Sequence, residues 1–301
     1  MQPEIIYDAQ ATLGEGPAWD AKSRTLYWVD ILGKRIYYHR EDEDGFVQLD
    51  QMPGCLAPCK DGNLLVAARA SILTLEPFDR TPWPEHQGGQ GRPATAKTTI
   101  LATLDEPADN RFNDGKCDPA GRFLAGTMDI DEKAASGALY SFDGLQATCL
   151  LDGLRISNGL AWSPDYRTLY YIDTPTREVR AFDYDLATGR IANSRVAITV
   201  PEALGWPDGM TSDTGGDLWI AMWSGAQVTR WNPRKGELLE QIPLPAKNVT
   251  SCVFAGENLN ELYVTSACKD LGQADLTAYR YSGGLMRVKT RVEGMPTFEF
   301  G

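Results

Sequence analysis

Four oxygen-bearing side chains recur at a matching distance before short apolar strands, and together they could hold a metal ion. Each lies 10 or 11 residues before its strand and within two residues of a glycine; they are Glu15, Asn113, Asn158 and Asp208. Carboxylate and amide oxygens suit hard cations such as Ca²⁺, Mg²⁺ or Mn²⁺. One Asn-Gly or Asp-Gly pair is an ordinary turn, but four at one register favour a site.

Asp208 is the carboxylate best suited to chemistry, because Pro207 restrains the chain on one side of it and Gly209 allows a sharp turn on the other. Histidine chemistry is disfavoured, since the only two histidines, His39 and His86, lie in polar or Pro/Gly-rich stretches and are interpreted as surface residues. A Ser-His-Asp triad or a histidine zinc site would have to use one of them. The acid–base work of an enzyme here would therefore fall to carboxylates or to a metal.

The residues around Asn113 could contact a substrate. Arg111 offers a forked cation and Asn113 an amide, which suit a polyhydroxylated or anionic molecule. Further along, Asp129, Asp131 and Glu132 supply acids, either at the mouth of the same site or on a solvated loop.

The elements that must position these residues are six copies of one unit, a polar turn followed by a short apolar strand. The strands start 38, 59, 46, 49 and 44 residues apart, at Leu26, Leu64, Phe123, Leu169, Leu218 and Leu262. Repeats of about 40 to 50 residues built from hairpins are typical of β-propeller blades. The sequence predicts an all-β fold, a six-bladed β-propeller, as a single domain over residues 1–301, with an inserted loop at about 77–98 in blade two. Equivalent positions of different blades would then converge on one central channel.

Composition narrows the class of partner. Apolar residues make up 43% and charged residues 23%, as in an average globular protein. The net charge of −12 disfavours nucleic acid, and no apolar run is long enough to span a membrane. We expect a cytoplasmic monomer or weak dimer that binds a small molecule. The six cysteines are expected to be buried, reduced thiols, without a disulfide between the close pair Cys55 and Cys59.

Several motifs together resemble the regucalcin (senescence marker protein)/gluconolactonase family. The resemblance runs in the same order from about Leu13 to Lys269. Its motifs are Leu13-Gly14-Glu15-Gly16-Pro17, Asn110-Arg111-Phe112-Asn113-Asp114-Gly115-Lys116, Gly126-Thr127-Met128, Ile156-Ser157-Asn158-Gly159-Leu160, Tyr171-Ile172-Asp173-Thr174 and Pro207-Asp208-Gly209-Met210.

The resemblance implies a six-bladed propeller with one divalent metal ion in the channel, Ca²⁺, Zn²⁺, Mn²⁺, Mg²⁺ or Fe²⁺, and hydrolysis of sugar lactones to aldonic acids. The family's metal ligands match Glu15, Asn158 and Asp208, with Asp208 also catalytic. Its substrate contacts match Arg111, Asn113 and Asp131. At the position of Asp131, regucalcin carries a glutamate. We expect the residues 294–298 near the C-terminus to close the ring of blades.

Two other functions stay open. One is a calcium-binding regulatory protein whose metal site is not catalytic, as the resemblance also allows. The other is a propeller hydrolase acting on esters or organophosphates, which would suit a more apolar channel mouth than Arg111, Asn113 and Asp131 provide.

Overall fold

The computed structural model describes residues 2–41, 43–76, 93–94 and 96–301, and nearly all of its regular structure is β-strand. One short helix, α1 (Gln273–Ala278), and two 3₁₀ turns, Thr174–Thr176 and Glu202–Leu204, complete the described elements. The strands in chain order are β1 (Pro3–Tyr7), β2 (Gly14–Asp20), β3 (Thr25–Asp30), β4 (Arg35–Arg40), β5 (Glu43–Gln48), β6 (Pro53–Pro58), β7 (Leu64–Ala68), β8 (Ser71–Leu75), β9 (Pro93–Ala94), β10 (Thr98–Thr103), β11 (Asn110–Cys117), β12 (Phe123–Asp129), β13 (Gly137–Phe142), β14 (Ala147–Leu154), β15 (Ser157–Trp162), β16 (Thr168–Asp173), β17 (Glu178–Asp185), β18 (Arg190–Thr199), β19 (Trp206–Ser212), β20 (Leu218–Trp223), β21 (Gln227–Asn232), β22 (Glu237–Pro243), β23 (Asn248–Ala255), β24 (Glu261–Ala267) and β25 (Leu285–Lys289).

These strands form six antiparallel sheets, which are the blades of a β-propeller. From inner to outer strand, the blades are β2-β3-β4-β5 with β9 added in parallel, β6-β7-β8-β10, β11-β12-β13-β14, β15-β16-β17-β18, β19-β20-β21-β22 and β23-β24-β25-β1. The first strand of each blade contacts the first strand of the next, and β23 contacts β2, so the inner strands form a closed ring. The six-bladed propeller predicted from the repeats is confirmed.

The N-terminal strand closes the ring of blades, because β1 pairs with β25 as the outermost strand of the sixth blade and so joins the start of the chain to its last blade. The expectation that residues 294–298 close it is wrong. Met295 N instead donates to Ser212 O, and Phe300 N donates to Pro58 O, so the C-terminal segment lies across the channel end where the inner strands finish. It lines a small cavity of about 50 Å³ there.

Burial explains why the repeat strands are so apolar. The second strand of each blade lies between two other strands and between two neighbouring blades. Leucines near its start, among them Leu26, Leu169 and Leu218, have no exposed surface. Outer strands such as β22 alternate between exposed and part-buried residues, as expected where one face meets solvent. Aromatic residues fill the space between blades, as the stacked pair Trp28 and Tyr37 shows.

Each inner strand has one extra residue relative to the second strand of its blade, and in all six blades this β-bulge lies at the same height along the channel. The register shifts fall between Glu15 and Ala18, Pro53 and Cys55, Phe112 and Gly115, Ser157 and Leu160, Pro207 and Met210, and Val249 and Ser251. A β-bulge leaves a residue unpaired and bends the strand, so it redirects side chains. Six bulges at one height therefore turn a ring of side chains out of the sheet pattern and towards the channel.

The described residues also bear on the expected insertion, the cysteines and membrane-spanning segments. The insertion at 77–98 lies mostly outside them, although β9 pairs with Phe46 and Val47 of β5 and β10 belongs to blade two. All six cysteines are free thiols, but Cys149 is exposed and Cys268 is only partly buried. No helix in the described part of the chain has the length and apolar character to cross a membrane.

Candidate functional site

A cavity of about 340 Å³ opens at the end of the channel where the inner strands begin. Its lining includes five of the six residues predicted from the sequence: Glu15, Arg111, Asn113, Asn158 and Asp208. They come from blades one, three, four and five, each at or beside the bulge of its inner strand. Blade two presents Gly54 at this height, and blade six presents Thr250, whose hydroxyl donates to Gly14 O. The bulges thus bring together the ring that the sequence spacing predicts.

The two carboxylates are buried close to each other with little compensation. Burial, with the charge of Asp114 next in importance, raises the pKa of Glu15 to about 8. Burial also raises the pKa of Asp208, reinforced by the charges of Glu15 and Asp114. Buried carboxylates normally pair with a cation or bind a metal. This pair therefore favours occupancy by a positive ion.

A chain of hydrogen bonds fixes the amide of Asn158. The Thr174 hydroxyl donates to Pro207 O at 2.8 Å, so it must accept the 2.8 Å bond from Asn158 Nδ2. Asn158 Oδ1 then accepts from Asn113 Nδ2 at 2.9 Å, and one lone pair remains for a further partner. The amide orientation thus follows from a neighbour that can act in only one way.

The same chain limits what Asn113 can do. Its Nδ2 gives one hydrogen to Ser157 O and the other to Asn158 Oδ1, while its Oδ1 accepts from Arg111 Nη1 at 2.6 Å. Asn113 can therefore meet a ligand only as an acceptor. Arg111 Nη1 also donates to Phe112 O, and burial lowers the pKa of Arg111 to about 10, so the guanidinium is still charged at neutral pH.

Asp131 is the one predicted site residue that the structure places elsewhere. Its carboxylate is exposed and pairs with Lys133 at 3.0 Å, outside the cavity lining. The next residue, Glu132, lines the cavity in its place. Glu132 has a left-handed backbone (φ 61°) in a turn held by the Asp129 carboxylate, which accepts from the N–H groups of Lys133 and Ala134. This turn points the two neighbouring acids in different directions.

Glu132 forms an ion pair with Lys269 across the mouth of the cavity. Glu132 follows β12 of blade three and Lys269 follows β24 of blade six. The two residues therefore come from opposite sides of the ring of six blades. The backbone of Lys269 is held as well, with its N–H donating to Thr12 O and its carbonyl accepting from Asn248 Nδ2. The ion pair therefore bridges the mouth of the cavity between blades three and six.

A divalent metal ion fits the donor set. Asp208 Oδ1 is buried without a hydrogen-bond partner, Asn158 Oδ1 has a lone pair to spare, and Glu15 is close enough to raise the pKa of Asp208. Among the residues described, no group of three or more His, Cys, Asp or Glu side chains could hold a metal. The candidate set has only two such residues, and its third member is the amide of Asn158. All three offer oxygen, which suits hard cations.

Further cavity residues were not assigned a role from the sequence, among them Thr174, Trp206, Trp223 and Lys269. Thr174 ends the motif Tyr171-Ile172-Asp173-Thr174, and Trp206 directly precedes Pro207-Asp208-Gly209-Met210, which is the signal that could have indicated them. Trp223 ends a strand that looks like core. His39, interpreted as a surface residue, is partly buried, and its Nδ1 lies 2.9 Å from Asp44 Oδ1, away from the cavity lining. His86 lies outside the described residues.

Comparison with known proteins gives one family. A family model described as SMP-30/Gluconolactonase/LRE-like region matches residues 13–268. Regucalcin from Danio rerio is 33% identical over 306 residues, covering 100% of this chain and 98% of that protein.

Two solved structures share the whole fold. A luciferin-regenerating enzyme superposes with a TM-score of 0.88 at 32% identity, covering 99% of each chain. A calcium-binding protein, regucalcin from Agrobacterium tumefaciens, superposes with a TM-score of 0.89 at 26% identity, covering 100% of this chain and 97% of the other.

Proposed function

This chain belongs to the SMP-30/gluconolactonase/LRE-like family, and we propose that it hydrolyses sugar lactones to aldonic acids with one bound divalent cation. The observation that carries the proposal is Asp208, a buried carboxylate with one oxygen lacking any hydrogen-bond partner, beside Glu15 and Asn158 in an open cavity. Such a group can act as both ligand and base.

Glu15, Asn158 and Asp208 would hold the cation. Their oxygens accept Ca²⁺, Mg²⁺, Mn²⁺, Zn²⁺ or Fe²⁺, and Ca²⁺ is the first to test because the regucalcin from Agrobacterium tumefaciens is named as calcium-binding. When bound, the ion would polarise the lactone carbonyl and stabilise the negative charge that develops on its oxygen.

Asp208 would act on the protons of the reaction. Its carboxylate takes a proton from the attacking water as the water oxygen bonds to the carbonyl carbon. The ring C–O bond then breaks, and the proton passes to the departing ring oxygen, which becomes the hydroxyl of the aldonic acid. No oxidant or further reactant is needed.

The size and polarity of the cavity favour a single sugar ring. At about 340 Å³, the cavity lies in the range of about 300–1,000 Å³ that is typical of small-molecule sites. Arg111 can donate to hydroxyl or carbonyl oxygens, while Asn113 Oδ1 and Glu132 can accept from hydroxyls. These partners favour a hydroxylated substrate over an alkyl ester or an organophosphate.

The test measures acid release from a panel of glucono-, galactono-, xylono- and arabinonolactones. The release is recorded with a pH-stat, once with added cation and once with EDTA. We expect metal-dependent hydrolysis of at least one lactone by the wild type. Asp208→Asn should lose almost all of it while keeping its fold. Asp152→Asn, which alters an exposed carboxylate on β14, is the matched control and should stay fully active.

The rival function is metal binding without catalysis. Calcium affinity with no turnover on any lactone would favour that rival and overturn the proposal. Equal turnover by the wild type and Asp208→Asn would remove Asp208 from the chemistry.

A further inference from the structure

Two tryptophans form one wall of the cavity next to Asp208. Trp206 and Trp223 are direct partners across the β19–β20 pair, and both line the cavity. Residues directly opposite on antiparallel strands project from the same face of a sheet. Gly205 brings the flanking turns together, because a Cβ at this residue would lie 2.6 Å from Trp223 O. The two indoles therefore stand side by side at the start of the strand that carries the proposed base.

Trp206 is held in place from behind. The Arg177 guanidinium lies over its ring, with Cζ 3.6 Å from the ring centroid, and Arg177 Nη1 is anchored to Gly205 O at 2.8 Å. A cation stacked on an indole face is favourable and restrains the ring. Because Arg177 covers one face, the ring surface that lines the cavity belongs to the other face and the edge.

Core packing does not explain why Trp206 is a tryptophan. The residue is 38% exposed and is one of the few large apolar side chains with that much exposed surface among the described residues. An exposed aromatic ring, rigidly held and set into a cavity rim, is typical of a binding surface. The Glu132–Lys269 ion pair and Arg111 also line the cavity, so its wall combines an apolar part with a charged part.

We propose that Trp206 and Trp223 are specificity-determining residues that stack against the C–H face of the lactone ring, an inference that rests on the proposed lactonase function. A sugar lactone has apolar C–H faces and a hydroxylated edge, which matches an aromatic wall combined with charged groups. The stacking acts on binding and leaves the proton transfer at Asp208 unchanged. The favoured class is a single-ring aldonolactone with at least one face free of bulky substituents.

The test compares Trp206→Ala and Trp206→Phe with the wild type in two assays. The first gives kcat and KM on the best lactone of the panel, and the second gives Kd for the matching sugar lactam by calorimetry in the presence of the cation. We expect Trp206→Ala to raise KM and Kd about tenfold with kcat changed less than about threefold. Trp206→Phe should recover most of the loss. Arg177→Met, which removes the stacked cation, should raise KM about threefold.

Leu239→Ala, on the exposed outer strand of the same blade, is the control and should change neither constant. An unchanged KM and Kd in Trp206→Ala would overturn the inference, as would a loss confined to kcat. Failure of the lactonase function itself gives a separate result, because the wild type would then turn over no lactone. In that case lactam binding that weakens in Trp206→Ala still supports the stacking wall, and absence of lactam binding overturns it.

Discussion

Replacement of Thr174 by valine tests whether the hydrogen-bond chain behind Asn158 controls the metal site. Valine has nearly the same shape but lacks the hydroxyl, so Asn158 Nδ2 loses its acceptor and Pro207 O loses its donor, both in bonds of 2.8 Å. The amide of Asn158 then keeps only one of the two hydrogen bonds that orient it, the bond that its Oδ1 accepts from Asn113 Nδ2.

The structure sets the expected size of the effect. Two buried hydrogen bonds are lost and two polar groups are left unpaired, which should lower the free energy of unfolding by about 2–3 kcal/mol. Loss of a group that orients a metal ligand typically lowers metal affinity about 10- to 100-fold. We therefore expect both a less stable protein and a weaker metal site.

Thr229→Val separates these two effects. Thr229 is also buried, donates to Ile220 O and accepts from Trp231 Nε1, yet it lies outside the cavity lining. It should lose similar stability without loss of metal affinity.

The assay is calorimetric titration of Ca²⁺ and Mn²⁺ into EDTA-stripped protein, with thermal unfolding measured in parallel. Thr174→Ser keeps the hydroxyl and should restore most of the metal affinity. The reasoning would be refuted by a folded Thr174→Val variant that binds both ions as tightly as the wild type, or by an equal loss of affinity in Thr229→Val.

Three other predictions concern the mouth of the cavity, the inner ring and its closure. Glu132→Gln should raise KM for a hydroxylated lactone severalfold, while Asp131→Asn leaves it unchanged; the reverse pattern in steady-state kinetics would restore Asp131 as the contact. Gly54→Ala should destabilise the protein by about 2 kcal/mol or more and reduce activity, because its Cβ would lie 2.5 Å from the Phe112 carbonyl; thermal unfolding like that of the wild type would contradict this close approach. Deletion of residues 1–7 removes β1 (Pro3–Tyr7) from blade six and should lower the melting temperature, and an unchanged melting curve would show that β1 does not close the ring.

The inner ring of the site was predictable because a repeat converts distance along the chain into position around a channel. Glu15, Asn113, Asn158 and Asp208 share one spacing from their strands, and the structure gives the reason, a bulge at the same height in each inner strand. The glycines next to these residues were the visible trace of the bulges.

The parts that depend on loops could not be predicted in the same way. Asp131 and Glu132 are adjacent acids, and only the left-handed backbone at Glu132 decides which of them meets the cavity. Lys269 reaches the site through an ion pair with a residue 137 positions away, so no local pattern indicates it. The ring is closed by β1, which precedes the first repeat and therefore has no place in the repeat count.

The central claim is that Glu15, Asn158 and Asp208 hold one divalent cation that lactone hydrolysis requires. The most direct measurement is the rate of acid release from a sugar lactone while cation is titrated into stripped protein. We predict no release above the spontaneous rate at the start, a rise that saturates at one ion per chain, and no rise in Asp208→Asn. Full activity of the stripped protein before any cation is added would contradict the account.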